Sequence, residues 1–371
     1  MSTNPLLSGV RVLDLSRLLP GPFCTLYLAQ MGAEVIKIEE PNGGDYARAM
    51  SSELFDVVNR GKKSVTLDLR KPDDRDLFLE LAKTADIVLE TFRPGVLDRM
   101  GCGYEAVKKV NPRVVFAALT GYGQTGPYRD RPGHDMNYRG YAGELDQTGG
   151  AGSGPLPGNF QVADLAGGAL TCAVGILAAL FGARASGVGS FVDVAMLDGT
   201  LALQVLSLAA IRTFGKAMPR GGDMLSGTMP NYSVYECADG KHLAVGSLEA
   251  KFFQETMRQC ERPDLLKKPL TPGASPLREE LAALFKTRTR DEWEAKLAHL
   301  DTCVSSVLTP DEALANEQVL ARGLVETLNG KPVIGLPIQF SDAKATRGPA
   351  PKLGADNAVV LGPLRQAAVA S

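Results

Sequence analysis

The chain has 371 residues, enough for two ordinary domains, and its 44% hydrophobic and 22% charged residues give it the composition of a globular protein. Its formal net charge is −2, so charge indicates neither a nucleic-acid partner nor a membrane-surface partner. Any polyanionic ligand must therefore be held by a local cluster of basic groups.

Short β-rich runs alternate with helical patterns in the first half of the chain. The predicted strands are Val10–Asp14, Val35–Ile38, Val65–Leu69, Ile87–Leu89 and Val114–Leu119, and the predicted helices are Phe23–Met31, Asp73–Lys83 and Tyr104–Lys109. This alternation indicates an α/β fold, a Rossmann-like parallel sheet with helices on both faces. No G-x-G-x-x-G sequence follows the first strand, so a nicotinamide or flavin site is disfavoured.

A Gly/Pro-rich loop at 146–159 leads into two long helical patterns. These are Asp164–Phe181 and Leu197–Phe214, and the strand Phe191–Ala195 lies between them. The stretch Leu165–Ala183 has no charged residue and is long enough to span a membrane. Because it contains four glycines and charged residues bound it closely, we expect a helix buried inside the domain and no membrane partner.

The pattern changes near residue 218. Residues 218–234 are rich in Gly, Met and Pro, which predicts a linker. The hairpin Tyr235–Gly246 and the amphipathic helices after it predict a smaller α+β domain over 235–329. We therefore expect a large domain of residues 1–217, with the Pro-rich tail, 330–371, packing back on it.

The cysteines and the N-terminus indicate a cellular compartment. The six cysteines include no Cys-x-x-Cys pair, and their spacing fits neither a disulfide framework nor a zinc site. The segment Met1–Pro5 lacks the basic and apolar regions of a signal peptide. We expect a cytoplasmic protein with reduced thiols and no bound metal.

His134 is the first candidate for chemistry. It lies in a Gly-His-Asp turn after the strand Val114–Leu119, and functional groups of α/β sheets lie on loops at the carboxyl ends of strands. A free imidazole has a pKa of roughly 6.5, so it exchanges protons near neutrality. The alternative is a core histidine bonded to a backbone carbonyl; the position favours catalysis.

Three carboxylates are further candidates. Asp164 precedes the uncharged helix, so it reads as a helix N-cap, as a carboxylate at the mouth of a site, or as both. Asp135 reads as a residue that stabilises its own turn. Glu249 follows a predicted strand, and from the residues alone a solvated surface glutamate is the stronger interpretation.

Basic residues cluster near the ends of the predicted strands. They are Lys37, Arg60, Lys62, Lys63, Arg70 and Arg93. Each alone is typical of a solvated face, but together they form a plausible cradle for a phosphorylated ligand. The glycine-rich loop Gly121–Pro127 permits close approach of backbone to a ligand, although neither segment is a Walker A loop.

Taken together, the motifs resemble the family III CoA-transferases, and within them the α-methylacyl-CoA racemase branch. The resemblance is carried by Leu7–Ser16, Gly32–Glu39, Gly61–Ser64, Phe92–Gly95, Gly121–Pro127, Gly133–Tyr138, Ala163-Asp164, Tyr235–Gly240 and Pro349–Pro351. Transferases of this family use an aspartate at the position of Asp164 as nucleophile. Racemases use it as an acid/base group, partnered by a histidine in Gly-His-Asp-x-Asn-Tyr, the motif that Gly133–Tyr138 matches.

The resemblance implies an enzyme and names its site. It implies catalytic roles for His134 and Asp164, with Glu249 beside the histidine and Asp135 beside the aspartate. Coenzyme A, as part of the substrate rather than a separate cofactor, is expected on the residues Lys37, Arg60, Lys62, Leu67, Asp68, Leu69, Arg70 and Arg93, and on Gly133, Met136, Asn137 and Tyr138. The acyl chain is expected along the methionine-rich linker.

The expected activity is epimerisation of 2-methyl-branched acyl-CoA thioesters through an enolate. Backbone N–H groups around Asp135 and Met136 are the candidate donors to the enolate oxygen. The resemblance also implies an interlocked homodimer, with the active site between the large domain of one chain and the small domain of the other. The alternatives are CoA transfer through an acyl-Asp164 intermediate, for which Glu40 is the transferase-like residue, and CoA binding without catalysis.

Overall fold

A computed structural model of the chain describes residues 6–341, 343 and 345–370. The segment Met1–Pro5, in which no targeting feature is expected, lies outside these residues. The chain divides into two compact units. The first comprises the residues up to 143, 159–203 and those from 320 onward, and the second comprises 144–158 and 204–319.

The first unit is built on a six-stranded parallel sheet. Its strands are β1 (Arg11–Asp14), β2 (Glu34–Glu39), β3 (Lys63–Thr66), β4 (Ile87–Glu90), β5 (Val115–Thr120) and β6 (Ser190–Ala195). They lie in the order β3-β2-β1-β4-β5-β6, and every neighbouring pair is parallel. The predicted α/β class is confirmed. Because the connections diverge between β1 and β4, a crevice opens at the carboxyl ends of these two strands.

Alternate residues of each strand face the two sides of this sheet. On one side, Val12 and Ile87 join a core that includes Cys24 and Leu28 of the helix Pro20–Gln30. On the other side lies a second core, formed by the neighbouring strand residues and the helix Pro72–Ala82. Burial on both faces explains why these strands are continuous apolar runs in the sequence.

The helices of the first unit connect and cover the strands. They are Pro20–Gln30, Ala47–Met50, Ser52–Asn59, Pro72–Ala82, Val96–Arg99, Tyr104–Val110, Asp135–Tyr141, Ala163–Leu170 continuing as Thr171–Ser186, Met196–Ala202, Asn357–Val360 and Gly362–Ala370. The first eight residues of the long helix form wider π-type turns. It packs closely on Met196–Ala202, where a Cβ on Gly199 would meet the carbonyl oxygen of Gly167 at 1.9 Å.

The long apolar helix is buried on one side only, which corrects the expectation of a fully buried helix. Ile176 and Leu180 pack in the core beside the sheet, whereas Val174 is 69% exposed and Phe181 is 80% exposed. The helix Ala163–Ser186 meets the length and hydropathy criteria for a membrane span, and 39% of its most apolar window is buried. Its outer face therefore leaves apolar surface uncovered within this chain.

Two predicted elements differ from the structure: one strand is shorter and one helix is interrupted. Strand β3 stops at Thr66 rather than Leu69, because Asp68 and Lys71 form a turn before the helix that starts at Pro72. The predicted helix Leu197–Phe214 is two helices, Met196–Ala202 and Val205–Phe214. The interruption coincides with the division between the two units, which falls after Leu203.

The second unit has an antiparallel sheet covered by helices. Strands β7 (Tyr232–Glu236), β8 (His242–Gly246) and β9 (Val304–Ser306) pair in that order. The helical elements of this unit are Glu144–Gln147, Val205–Phe214, Met224–Thr228, Ala250–Gln259, Pro263–Lys267, Pro276–Phe285, Arg290–Leu297 and Pro310–Leu314, and Glu317–Ala321 crosses into the first unit. The predicted hairpin is present, starting three residues earlier than expected. Residues 204–217 and the predicted linker 218–234 both fall within this unit rather than before it.

The C-terminal segment packs on the first unit. Leu336 and Leu361 enter the two cores beside the sheet, and the Asp356 carboxylate accepts a hydrogen bond from the backbone of Ser64. A hairpin of β10 (Val325–Leu328) and β11 (Lys331–Ile334) precedes it. We did not predict this hairpin, although its Asn-Gly turn at 329–330 is a strong hairpin signal.

Candidate active site

A cavity of about 880 Å³ opens at the crevice between β1 and β4. Its walls come from the segments that follow β1, β4 and β5, together with residues of the helices Asp135–Tyr141 and Ala163–Leu170. All of the lining residues belong to the first unit. His134 and Asp164 both line this cavity, so the two groups predicted to exchange protons share one space.

His134 stands immediately before the helix Asp135–Tyr141. Its backbone N–H donates to Oδ1 of Asn137 at 3.0 Å, and the Tyr138 hydroxyl donates to the carbonyl oxygen of Gly133 at 2.5 Å. A Cβ on Gly133 would lie 2.7 Å from the Tyr138 ring and 2.8 Å from the hydroxyl of Tyr122, so only glycine fits there. Gly133, Asn137 and Tyr138 thus shape the turn that exposes the imidazole, and all three line the cavity.

Asp164 is the second residue of its helix, and its carboxyl group is largely buried. Burial, together with the neighbouring charge of Asp135, raises the pKa of Asp164 to about 7. A substantial fraction of this carboxyl group is therefore protonated near neutral pH, which is the state a proton donor needs.

The Asp135 side chain links the two segments. Its Oδ1 accepts hydrogen bonds from the backbone N–H groups of Ala163 at 2.7 Å and Asp164 at 3.1 Å. Its Oδ2 lies 3.4 Å from the buried guanidinium of Arg139. Asp135 therefore caps the helix that begins at Ala163, a role expected of Asp164 itself, and leaves the Asp164 carboxyl group free to face the cavity.

Met136 is exposed, and Glu249 belongs to the second unit. Met136 is an exposed residue of the helix Asp135–Tyr141 and does not line the cavity. Glu249 belongs to the second unit, exposed at the start of the helix Ala250–Gln259. Its pairing with the histidine stays a prediction.

Three basic residues predicted to hold coenzyme A lie inside the protein instead. The Lys37 ammonium group is fully buried, 2.8 Å from the Asp45 carboxylate. Lys62 is fully buried against Asp14 at 3.1 Å, and burial lowers the pKa of Lys62 to about 8. Arg60 donates to two backbone carbonyl groups. These geometries do not support direct contacts between these residues and a ligand.

Four arginines line the cavity in their place. They are Arg17, Arg93, Arg129 and Arg131. Of these, we predicted only Arg93. The others lie on the loops after β1 and β5. Functional groups of α/β sheets lie on loops at the carboxyl ends of strands, and the same reasoning that selected His134 could have selected these arginines. Four guanidinium groups give this cavity the charge to bind phosphate or carboxylate oxygens.

A second cavity of about 260 Å³ is lined by the segment Leu67–Arg70. Leu67, Asp68, Leu69 and Arg70 all contribute to its wall, and the Arg70 guanidinium pairs with Asp68 at 2.7 Å. Glu40 also lines this cavity. The two cavities share Arg17, Tyr46, Phe92 and Val96, so the predicted coenzyme segment adjoins the cavity that holds the predicted acid/base pair.

The predicted methionine-rich lining is divided between the units. Met196 is buried in the first unit and lines the large cavity. Met218, Met224 and Met229 belong to the second unit. Met224 is exposed there.

The raised pKa of Asp164 predicts how its replacement alters stability with pH. The folded chain keeps a proton on Asp164 that the unfolded chain loses above its ordinary pKa, so ionisation of Asp164 lowers the free energy of unfolding as pH rises from about 4 to 8. Asparagine does not ionise, so in Asp164→Asn this contribution to the fall in the free energy of unfolding is absent. We expect the stability of the variant relative to wild type to increase by up to about 4 kcal/mol over this pH range, measured by urea denaturation.

Asp198→Asn is the matched control, because Asp198 lies in the neighbouring helix Met196–Ala202 and is much less buried than Asp164. Its relative stability should change less over the same pH range. If Asp164→Asn gave a difference that did not vary with pH, the raised pKa of Asp164 would be wrong.

Comparison with known proteins identifies the family. A sequence profile of CoA-transferase family III matches residues 7–357. The chain is 35% identical to the human alpha-methylacyl-CoA racemase over 321 residues, covering 85% of this chain and 81% of the racemase. It is 32% identical to the acetyl-CoA:oxalate CoA-transferase of Acetobacter aceti, covering 95% and 94% of the two chains. The crystal structure of a CAIB/BAIF family protein from Brucella suis superposes with a TM-score of 0.87 at 30% identity, covering 98% and 100%. The protein therefore belongs to CoA-transferase family III.

Proposed function

We propose that this protein is an acyl-CoA epimerase, which interconverts the two configurations of 2-methyl-branched thioesters by removing a proton from one face of the α-carbon and adding a proton to the other. The observation that carries the proposal is the placement of His134 and Asp164 on the wall of one cavity. One group that accepts a proton and one that donates it, both reaching one carbon, are what this reaction requires.

The proposed reaction runs in two proton transfers. The neutral imidazole of His134 removes the α-proton, and the electron pair of the broken C–H bond moves into the thioester to give an enolate. Protonated Asp164 then gives its proton to the opposite face of the same carbon. In the reverse direction ionised Asp164 is the base and protonated His134 is the acid, so in each direction one group starts protonated and the other unprotonated.

Stabilisation of the enolate oxygen is assigned to backbone donors. The N–H groups of Asp135 and Met136 directly follow His134, which lines the cavity, although neither residue lines it itself. They lie at the start of the helix Asp135–Tyr141, where the first N–H groups have no partner inside the helix. Within the described part of the chain, no protein acceptor is recorded for either group. Fixed donors of this kind stabilise negative charge that develops during a reaction.

The protonation of Asp164 favours acid/base chemistry over nucleophilic attack. A carboxyl group attacks a thioester only in its ionised form, whereas burial and the Asp135 charge raise the pKa of Asp164 to about 7. Half of the molecules would then carry a protonated Asp164 at neutral pH. This state suits a proton donor and reduces the population of the nucleophile.

The second candidate is CoA transfer, with Asp164 attacking the thioester and releasing the CoA thiolate to leave an acyl-aspartate anhydride. Two observations favour it. The transferase relative from Acetobacter aceti is similar over a larger share of both chains than the human racemase. Glu40, which lines the smaller cavity, is the transferase-like residue at its position.

A homodimer is part of the proposal. The family resemblance implies that Glu249 of one copy orients His134 of the other and steadies its charged form. The support in this chain is the uncovered apolar face of the helix Ala163–Ser186, on which Val174 and Phe181 are largely exposed. Apolar faces of this kind are typical of protein interfaces.

The proposal predicts exchange of the α-proton with solvent. A panel of 2-methyl-branched acyl-CoA thioesters is incubated with the protein in heavy water, and deuterium at the α-carbon is measured by mass spectrometry. We expect incorporation with the thioester otherwise unchanged. Removal of either proton-transfer group, in His134→Ala or Asp164→Asn, should lower the exchange rate by at least about 10²-fold.

His299→Ala is the matched control, because His299 is an exposed histidine of the second unit. It should leave exchange unchanged. Full exchange by His134→Ala would contradict the assignment of the base. Transfer of CoA to an acceptor acid without α-exchange would favour the transferase instead.

The two candidate functions also predict opposite responses to pH. An epimerase that needs protonated Asp164 loses activity as pH rises through about 7, whereas a transferase that needs the ionised carboxylate gains activity over the same interval. We expect kcat/KM for α-proton exchange to fall about tenfold for each pH unit above this midpoint. A rate that rises from pH 6 to pH 8 would contradict the epimerase.

A further inference from the structure

We propose that Arg17 is an anion-binding residue of this site, which grips phosphate or carboxylate oxygens of the acyl-CoA, and that the buried Lys37–Asp45 pair holds it in position. The inference rests on the proposed acyl-CoA ligand. It does not depend on whether the reaction is epimerisation or transfer.

The turn that carries Arg17 has an unusual backbone. Leu18 has a φ of 64°, in the left-handed region that a residue with a side chain rarely adopts. Such conformations persist where the surroundings enforce them, and they concentrate at functional sites. The turn lies at the carboxyl end of β1, at the crevice where the connections of the sheet diverge.

The enforcing contacts come from a buried ion pair. The Leu18 N–H donates to Oδ1 of Asp45 at 2.9 Å. The Lys37 ammonium donates to the carbonyl oxygen of Ser16 at 2.8 Å and pairs with the other Asp45 oxygen at 2.8 Å. Both sides of the Arg17 backbone are therefore anchored by one pair of fully buried charges. This gives Lys37 a positioning role in place of the ligand contact expected from the sequence.

The Arg17 side chain is fixed as well. Its guanidinium carbon lies 4.9 Å from the centre of the Tyr46 ring and 4.9 Å from that of Phe92, and one guanidinium nitrogen donates to the Tyr46 hydroxyl at 2.9 Å. Aromatic faces hold a guanidinium in place without neutralising its charge. Among the residues that the structure describes, no carboxylate forms an ion pair with Arg17.

Arg17 lies where the two cavities adjoin. It lines the large cavity with His134 and Asp164, and it also lines the smaller cavity formed by Leu67–Arg70. Of the four residues that line both cavities, Arg17 is the one with a charged side chain, so a ligand that reaches from one cavity to the other can contact it. A fixed, unpaired and half-buried cation at such a junction is suited to bind an anionic group of that ligand.

Two anionic groups of an acyl-CoA have the required oxygens: the phosphates of coenzyme A and a carboxylate on the acyl group.

The test compares wild type with Arg17→Gln for three ligands. The dissociation constant of free CoA is measured by calorimetry. KM is measured for a hydrocarbon 2-methyl acyl-CoA and for a 2-methyl acyl-CoA with a terminal carboxylate.

Loss of a charge-assisted contact weakens binding by about tenfold or more. If the phosphates bind Arg17, Arg17→Gln raises the dissociation constant of CoA and both KM values by this factor. If the acyl carboxylate binds Arg17, only the KM of the carboxylate-bearing thioester rises. Changes below about twofold for all three ligands would overturn the proposal. Arg113→Gln is the control. Arg113 is exposed just before β5, at the amino end of that strand, whereas the cavity lies at the carboxyl ends of the strands.

Leu18→Gly tests the positioning role without removing a charge. Glycine adopts the observed backbone freely, so the variant should fold, but the turn gains alternative conformations. We expect a threefold or larger rise in the same binding constants that Arg17→Gln affects, with kcat unchanged. Unchanged binding constants would refute the positioning role. If no thioester is turned over at all, the calorimetric CoA comparison tests Arg17 separately from the proposed reaction.

Discussion

The carboxylate of Asp135 joins the two segments on which the site depends. His134 precedes it by one residue, and Asp164 lies at the start of the helix whose first N–H groups it accepts. A single side chain thus fixes the start of one helix to the start of another. Burial of Asp164 is the main cause of its raised pKa, and the negative charge of Asp135 raises it further. Asp135 therefore fixes the position of the proposed acid and adds to the effect of burial on its protonation.

This arrangement makes the site a source of instability in the fold. A carboxyl group that is buried near another carboxylate resists ionisation, so the folded chain is less stable where the unfolded chain would ionise it. The turn at Leu18, which also lines the cavity, is a second unfavourable feature, enforced by a buried ion pair. Both features lie at the crevice between β1 and β4, while the sheet beneath is an apolar core on both faces.

Much of this architecture could be predicted from the sequence because local residue patterns determine it. The buried strands are apolar runs, and the positions of His134 and Asp164 after a strand and before an uncharged helix indicated the carboxyl edge of the sheet. The basic residues were harder to place. Lys37 and Arg17 are both basic residues at or near the carboxyl end of a strand. Lys37 nevertheless faces inward because Asp45 neutralises it, and that pairing is decided by tertiary contacts. The place of Glu249 relative to the cavity is likewise not a local property, since the two belong to different units. The hairpin at Val325–Ile334 differs from these, because its Asn-Gly turn was visible in the sequence.

The central claim is that Asp164 is a protonated acid near neutral pH, and infrared spectroscopy tests it most directly. The carbonyl stretch of a protonated carboxyl group, taken as the difference between wild type and Asp164→Asn, is followed from pH 4 to pH 9. The account predicts that this band persists at pH 6 and disappears with a midpoint at about pH 7. A band already lost at pH 5 would show an ordinary, ionised aspartate and would contradict the proposed role of Asp164 as proton donor.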